Sequence, residues 1–245
     1  KCLIRDLRQW RLSHAALVIV GAGPTGVELA CKLADLLTGS ARLHLIEQGA
    51  TILPNSPAFN RERAVAALER RDVTVNLNTA VTAVTPSSVE LGSGTPLAHH
   101  GLIWTAGSRP NLPEMVPAPA MAKGRLAIDA TLRLVDQPSV FAIGDLSCWE
   151  SDPWPSTAQV AMQQGVAVAR SIHHQQQQQD EEPAPFRFED RGEMLSLGIG
   201  DATLTGMGIT LAGPLAFGIR RATYLTRLPG LSLGLRSAGA WLLGR

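Results

Sequence analysis

The stretch Val18-Ile-Val-Gly21-Ala-Gly23-Pro-Thr-Gly26-Val-Glu28 decides the fold class. A short apolar run, Ala16–Val20, ends at Gly21 as a strand buried on both faces does, and Thr25–Leu37 continues with apolar residues at mostly helical spacing. Three glycines at this spacing each have a task. Gly21 allows the tight turn, Gly23 lets a pyrophosphate approach the backbone, and Gly26 lets helix and strand pack closely. Pro24 and Thr25 open the helix, whose free N–H groups and dipole favour an anion. A second strand, Arg42–Ile46, is followed by Glu47, 21 residues after Gly26, the position of a carboxylate that accepts the adenosine ribose hydroxyls. A carboxylate there repels a 2′-phosphate, so NADH is expected ahead of NADPH. The plainer alternative is a glycine-rich strand-to-helix turn with a surface glutamate.

Outward from this motif, Ala58–Arg71 is predicted to be an amphipathic helix with Ala64, Val65, Ala67 and Leu68 on its apolar side. Val73–Asn76, Ala80–Val84 and Ser88–Leu91 are predicted as short strands of a meander, and Leu102–Thr105 as a closing strand. Pro110 to Pro119 is a loop, Leu126–Ile128 and Val140–Ile143 are strands, and Thr157–His173 is a helix with Pro155 and Ser156 before its first turn. Gln175–Gln179 with Asp180–Pro183 is a low-complexity linker. His99 and His100 are expected to face solvent, and no cluster suggests a metal site.

The chain has 245 residues, 45% hydrophobic and 18% charged, the balance of a globular protein of one large or two small domains. Its 22 basic and 21 acidic side chains sum to +1, which argues against nucleic acid as a partner. From Ala202 to Arg245 there are five arginines and no Asp, Glu or Lys, so that stretch carries +5 and the remainder −4. Three cysteines without a CxxC pair argue against a disulfide framework or zinc ribbon.

Two further segments carry a resemblance. Trp104-Thr-Ala-Gly107-Ser-Arg-Pro110 resembles the crossing from the NAD domain to the FAD domain of two-dinucleotide-domain flavoproteins. Val140-Phe-Ala-Ile-Gly144-Asp145 resembles their late FAD motif, whose Asp binds the flavin ribitol. Within that superfamily, Pro155-Ser-Thr-Ala158-Gln159-Val-Ala-Met-Gln163 is similar to the type II NADH dehydrogenases, with the cyanobacterial and plastid demethylphylloquinone reductase branch nearest. Phe186–Gly192, Leu195–Gly198 and Arg220–Gly230 resemble that family's C-terminal, membrane-docking portion.

The resemblance implies an α/β fold of two Rossmann-like FAD/NAD(P)-binding domains with the first FAD half missing, and a C-terminal α+β membrane-facing segment. Its boundaries would be a connecting segment 1–15, an NAD(H) domain 16–105, the second FAD half 106–180 and a membrane-associating domain 181–245. The implied activity passes a hydride from NADH, or NADPH, to FAD and then two electrons to a membrane quinone. Asp145 would hold the ribitol, Gly144 and Ala158 would flank the flavin, and Gln159 and Gln163, on one helix face, would line the quinone site. Glu28 would lie near nicotinamide and flavin. From the residues alone, Glu28 is a first-turn acid complementing the helix dipole, Asp145 a helix-capping Asp, and the glutamines an ordinary solvated face.

The implied partners are a quinone and a membrane surface met by the arginine-rich segment, on the cytoplasmic side of a bacterial or plastid membrane; a homodimer is admitted. For that segment the alternative is a packed hairpin whose arginines face water. For the whole chain the alternatives are a soluble flavin disulfide or oxygen reductase of the same superfamily, and a non-catalytic NAD-binding module.

Overall fold

The structure, a computed structural model, describes residues 15–177 and 184–242. The segment expected to connect domains over 1–15, except Ala15, and residues 178–183 of the expected linker lie outside the described residues, while Gln175 and Gln176 of that linker belong instead to the helix Ala158–Gln176. The chain divides into two compact units, one of residues 15–107 with 192–242 and one of residues 108–191.

In the first unit, all five residues of β1 (Ala16–Val20) are buried. It is an inner strand of a parallel sheet with β2 (Arg42–Ile46), β3 (Thr74–Asn76) and β7 (Gly101–Trp104), in the order β3-β2-β1-β7. Neighbours on both edges and cover on both faces explain why β1 is uniformly apolar. The chain moves outward from β1 to β2 to β3, then returns to pair β7 on the other side of β1. That reversal is the topological switch point at which open α/β sheets bind ligands.

Helix α1 (Pro24–Leu37) links β1 to β2, with Gly23 at the N-cap and Pro24 in the first turn, where its missing N–H costs nothing. Its buried face includes Val27, Ala30, Cys31, Leu33 and Leu37. Burial pushes the Cys31 thiol up to about 12, which makes it an inert core residue. Helix α2 spans Ala58–Glu69, two residues shorter than predicted. Its faces also differ from the prediction: Val65 is 40% exposed and Asn60 is wholly buried.

Two other expectations are corrected here. β3 belongs to the parallel sheet; the meander is β4 (Val81–Val84), β5 (Ser88–Leu91) and β6 (Pro96–Ala98), whose Pro96 is tolerated because β6 is an edge strand. His99 is buried, with neither ring nitrogen bonded among the described residues, because the turn after β6 folds its N–H back onto the Ser87 carbonyl. His100 is exposed and accepts the Ala16 N–H at Nδ1.

From residue 192 the C-terminal segment joins this unit. β11 (Glu193–Ser196), β12 (Ala202–Gly206) and β13 (Ile209–Ala212) form an antiparallel sheet, followed by α4 (Pro214–Thr226) and α5 (Leu231–Leu242). Leu195 and Leu197 complete the core that contains Leu17, Ile19 and Leu33. The buried Asn60 is explained by a polar network across this contact. Glu193 accepts from the Ser56 hydroxyl at 2.8 Å and the Asn60 amide at 2.7 Å, and the Thr205 hydroxyl donates to the Asn60 carbonyl at 2.8 Å.

The second unit holds a small sheet of β8 (Met121–Ala122), β9 (Arg125–Ala127) and β10 (Ser147–Cys148), with helix α3 (Ala158–Gln176). Val140–Ile143 is not a strand. Its only ladder contact is an isolated Arg133–Phe141 bridge, and its apolar residues serve the core around Leu126, Leu132, Leu134 and Phe186. The helix N-cap is Thr157 rather than Ser156, its hydroxyl accepting the Val160 N–H.

Candidate functional site

The first unit presents its site at the C-terminal ends of β1 and β2. The three glycines meet different surroundings. A Cβ on Gly26 would lie 1.9 Å from the Gly21 carbonyl oxygen, so helix and turn are in direct backbone contact there. Gly21 has φ +98° and sits against Ala106. A Cβ on Gly23 would have nothing within 4 Å, so the loop is open to an approaching group at that point. Pro24 and Thr25 are exposed beside it.

Glu47, half-buried at the end of β2, accepts the Ala22 N–H at Oε2 and the Gly49 N–H at Oε1, both at 2.8 Å. Each carboxylate oxygen retains a lone pair, so Glu47 fixes the glycine turn and can also accept vicinal hydroxyls. Thr105 completes the turn by donating its hydroxyl to the Val20 and Gly21 carbonyls at 2.8 and 2.9 Å. Sequence reading passed over Thr105 in favour of Gly107; its signal was its place directly after β7, beside the glycine turn. Gly107 ends the unit with open space around it.

Glu28 is in the second turn of α1, and the first turn holds no acid, so the dipole-complementing reading is set aside. Its carboxylate instead accepts the Ser196 N–H at 2.8 Å and pairs with Arg220 Nη2 at 3.1 Å. Glu28 thus ties α1 to β11 and α4. Arg220, which the sequence offers only as part of the membrane-docking segment, also stacks on Tyr224 at 4.8 Å.

In the second unit, Gly144–Leu146 forms a 3-10 turn whose N-cap, Ile143, has no side-chain bond. Asp145 caps nothing: it is exposed and bonds to no described residue. Beside it, the buried Gln164 accepts the Gly144 N–H at 2.7 Å. Sequence reading missed Gln164, which sits among glutamines of similar appearance and is told apart only by burial. Gly144, Asp145, Cys148, Thr157 and Gln164 line one small pocket. Ala158 is exposed at the α3 N-terminus with its N–H free of described acceptors. A free carboxylate beside a helix N-terminus offers an acceptor for hydroxyls and a positive end for an electron-rich ring edge, a donor set that fits a flavin.

Gln159 and Gln163 do share a face, and they are not a plain solvated pair. Gln163 makes a reciprocal amide pairing with the Glu189 backbone, donating at 2.9 Å and accepting at 3.0 Å, and Gln159 accepts the Arg191 N–H at 3.2 Å. They fasten the 189–191 segment along α3. Among the described residues, no group of His, Cys, Asp and Glu could hold a metal ion.

Comparison with known proteins places this geometry in context. The chain is 35% identical to the demethylphylloquinone reductase NdbB of Synechocystis sp., over 98% of this chain and 62% of that protein. It is 33% identical to the alternative NAD(P)H-ubiquinone oxidoreductase C1 of Arabidopsis thaliana, over 89% of this chain and 46% of that protein. It therefore spans roughly half to three fifths of the length of these relatives. In fold it resembles NDH2 from Plasmodium falciparum, solved in complex with NADH, with a TM-score of 0.75 at 16% identity, covering 91% of this chain and 64% of that one. The sequence profile of the pyridine nucleotide-disulphide oxidoreductases matches residues 3–165, across the glycine turn, the crossing at Thr105–Gly107 and the Asp145 turn. The chain belongs to the pyridine nucleotide-disulphide oxidoreductase family.

Proposed function

We propose that this protein oxidises NADH, with FAD as its resident cofactor, and reduces a membrane quinone, as a type II NADH:quinone oxidoreductase. The observation that carries this reading is the switch-point turn, where the open approach at Gly23 meets the carboxylate of Glu47. The names of the two quinone-reducing relatives support the electron acceptor.

The turn N–H groups and the α1 N-terminus would receive the NADH pyrophosphate, and Glu47 would accept the ribose hydroxyls. Asp145 would hold the ribitol, and Ala158 at the α3 N-terminus would face the ring edge that gains negative charge on reduction. When bound, FAD would supply acceptance of a hydride and its release as two electrons and a proton. Gln159 and Gln163, ordered by the 189–191 backbone, would border the quinone, and Glu28 would stand beside the nicotinamide with its charge balanced by Arg220. No step needs a nucleophile, and the described cysteines, Cys31 and Cys148, are both buried and free.

The same reading places the protein peripherally on the cytoplasmic side of a membrane through α4 and α5. These helices expose Leu215, Tyr224, Leu235 and Trp241, and their arginines lie over aromatic rings, as in helices resting at the headgroup level. No described helix is long and apolar enough to cross a membrane.

Flavin-loaded protein is expected to oxidise NADH several-fold faster with a short-chain quinone than without one; equal rates would remove the quinone from the reaction. Glu47→Ala is expected to raise the KM for NADH by about tenfold, roughly 1.4 kcal/mol of lost binding. Glu47→Arg should raise the NADPH-to-NADH ratio of kcat/KM by at least as much. Unchanged cofactor preference in Glu47→Arg would overturn the ribose role.

A further inference from the structure

The cleft of the first unit between α1, the β11–β12 turn and helices α4 and α5 holds two cations, Lys32 and Arg221, that the proposed hydride transfer does not use. Lys32 of α1, Arg220, Arg221 and Phe217 of α4, and Trp241 of α5 line it, together with Glu28. Its carboxylate is already engaged, since Glu28 holds Arg220 and the Ser196 N–H. The neighbouring Asp35 is engaged too, by Arg71 and by the Ile199 N–H. Lys32 and Arg221 are left without an ion pair to any described residue.

Arg221 is held in a specific way. Its guanidinium carbon lies 4.2 Å from the Trp241 ring centroid and 5.3 Å from that of Phe217. Stacking occupies the faces of a guanidinium and leaves its N–H edge, the edge that matches phosphate oxygens bidentately. A stacked arginine also forfeits less side-chain freedom when an anion arrives. Lys32 supplies a second, compact charge, and the two rings supply apolar contact beside the anion. A cleft of this composition fits an anion that carries an apolar body.

We propose that this cleft binds the phosphodiester of an anionic phospholipid, with Lys32 and the edge of Arg221 on the phosphate oxygens and Trp241 and Phe217 against the glycerol and first acyl carbons. This rests on the membrane attachment proposed above and names the lipid that attachment selects. The same helices carry exposed leucines, so the lipid arrives from the surface on which they rest. A headgroup seated here also touches α1, the helix that starts at the glycine turn.

The test pairs vesicle flotation with calorimetric titration of soluble dihexanoyl-phosphatidylglycerol against the full protein. The short-chain lipid is expected to bind at least tenfold more tightly than dihexanoyl-phosphatidylcholine or inorganic phosphate, and Lys32→Gln/Arg221→Gln should lose about tenfold, or 1.4 kcal/mol. Arg221→Lys should lose most of that effect because the stacked fork is gone, and Arg236→Gln should leave short-chain binding unchanged. Undiminished binding by the double variant overturns the proposal. Equal affinity for inorganic phosphate overturns the lipid, and competition by NADH returns the cleft to the nucleotide. Failure of the unsubstituted protein to float on any vesicle, with short-chain binding retained, defeats membrane attachment and leaves the cleft. Flotation on phosphatidylglycerol that the double variant retains defeats the cleft and leaves the attachment.

Discussion

Gly26→Ala is expected to unfold the glycine turn, and Gly23→Ala, three residues away, to leave it standing. The added methyl at position 26 would fall 1.9 Å from the Gly21 carbonyl oxygen and 2.9 Å from the Thr105 hydroxyl. Both are fixed, the first by backbone and the second by hydrogen bonds to the Val20 and Gly21 carbonyls. Helix α1 must therefore move off β1, and overpacking of this kind costs about 3 kcal/mol or more. For a chain of this size that is a fall in Tm of about 6–12 °C. At Gly23 the backbone is extended, with φ −72°, and the space is empty, so alanine is accommodated. Its methyl would occupy the room a pyrophosphate needs, and NADH affinity should fall by about tenfold with Tm nearly unchanged. Thermal unfolding and NADH titration of the two variants read the two effects separately. Equal Tm losses would contradict the division of labour between the glycines.

The second large effect is expected at Asp35. Its carboxylate binds Arg71 through Nε at 2.7 Å and Nη2 at 3.3 Å, and it accepts the Ile199 N–H of the β11–β12 turn. Both side chains are mostly buried, at 20% and 15% exposure. Asp35→Ala would leave the Arg71 guanidinium and the Ile199 N–H without this acceptor, a loss of about 3–4 kcal/mol by the usual cost of breaking a buried pair. Burial by itself raises the Asp35 carboxyl, but the Arg71 bond, the Ile199 N–H and the nearby positive charge outweigh it and hold it below the ordinary carboxylate range.

A carboxyl with a depressed folded value stabilises fully above its unfolded pKa, about 3.9, and loses that contribution as pH falls through the folded value. Urea unfolding from pH 7 down to pH 3 should show a steeper loss in the native sequence than in Asp35→Asn. Parallel curves would remove Asp35 as the source. Alanine at Gly198 should mimic the damage, because its Cβ would fall 2.2 Å from Asp35 Oδ2.

These residues also show what could be read in the sequence. Strand β1, the glycine turn, α1, β2 and Glu47 are contiguous, and each is specified by short-range rules of periodicity and turn chemistry, so they appear where expected. Asn60 and Val65 exchanged roles because the partner that makes Asn60 worth burying, Glu193, is 133 residues away. No pattern within α2 reports that. Val140–Ile143 has the apolar run of a strand, yet hydrogen-bond ladders depend on what lies alongside, and here that is only the short stretch Leu132 to Leu134, joined by one isolated bridge. At a turn with no acid or Cys nearby in sequence, His99 is expected to face solvent, whereas the turn after β6 encloses it. Glu28 and Arg220 are 192 residues apart, so the ion pair that relates α1 to α4 has no local signature.

The first unit is built from two pieces of chain with the whole second unit inserted between them. Glu28, Asp35, Asn60 and Arg70 leave the ribosome long before Arg220, Ile199, Glu193 and Asp201, their partners 192, 164, 133 and 131 residues downstream. At about 5–20 residues per second the wait is roughly seven to forty seconds. Through that interval the nucleotide fold stands with its polar contacts unmade and the face later covered by Leu195 and Leu197 open to water. The nascent chain is most exposed to chaperones and proteases in this window, which closes only when Glu193 to Arg220 have been made.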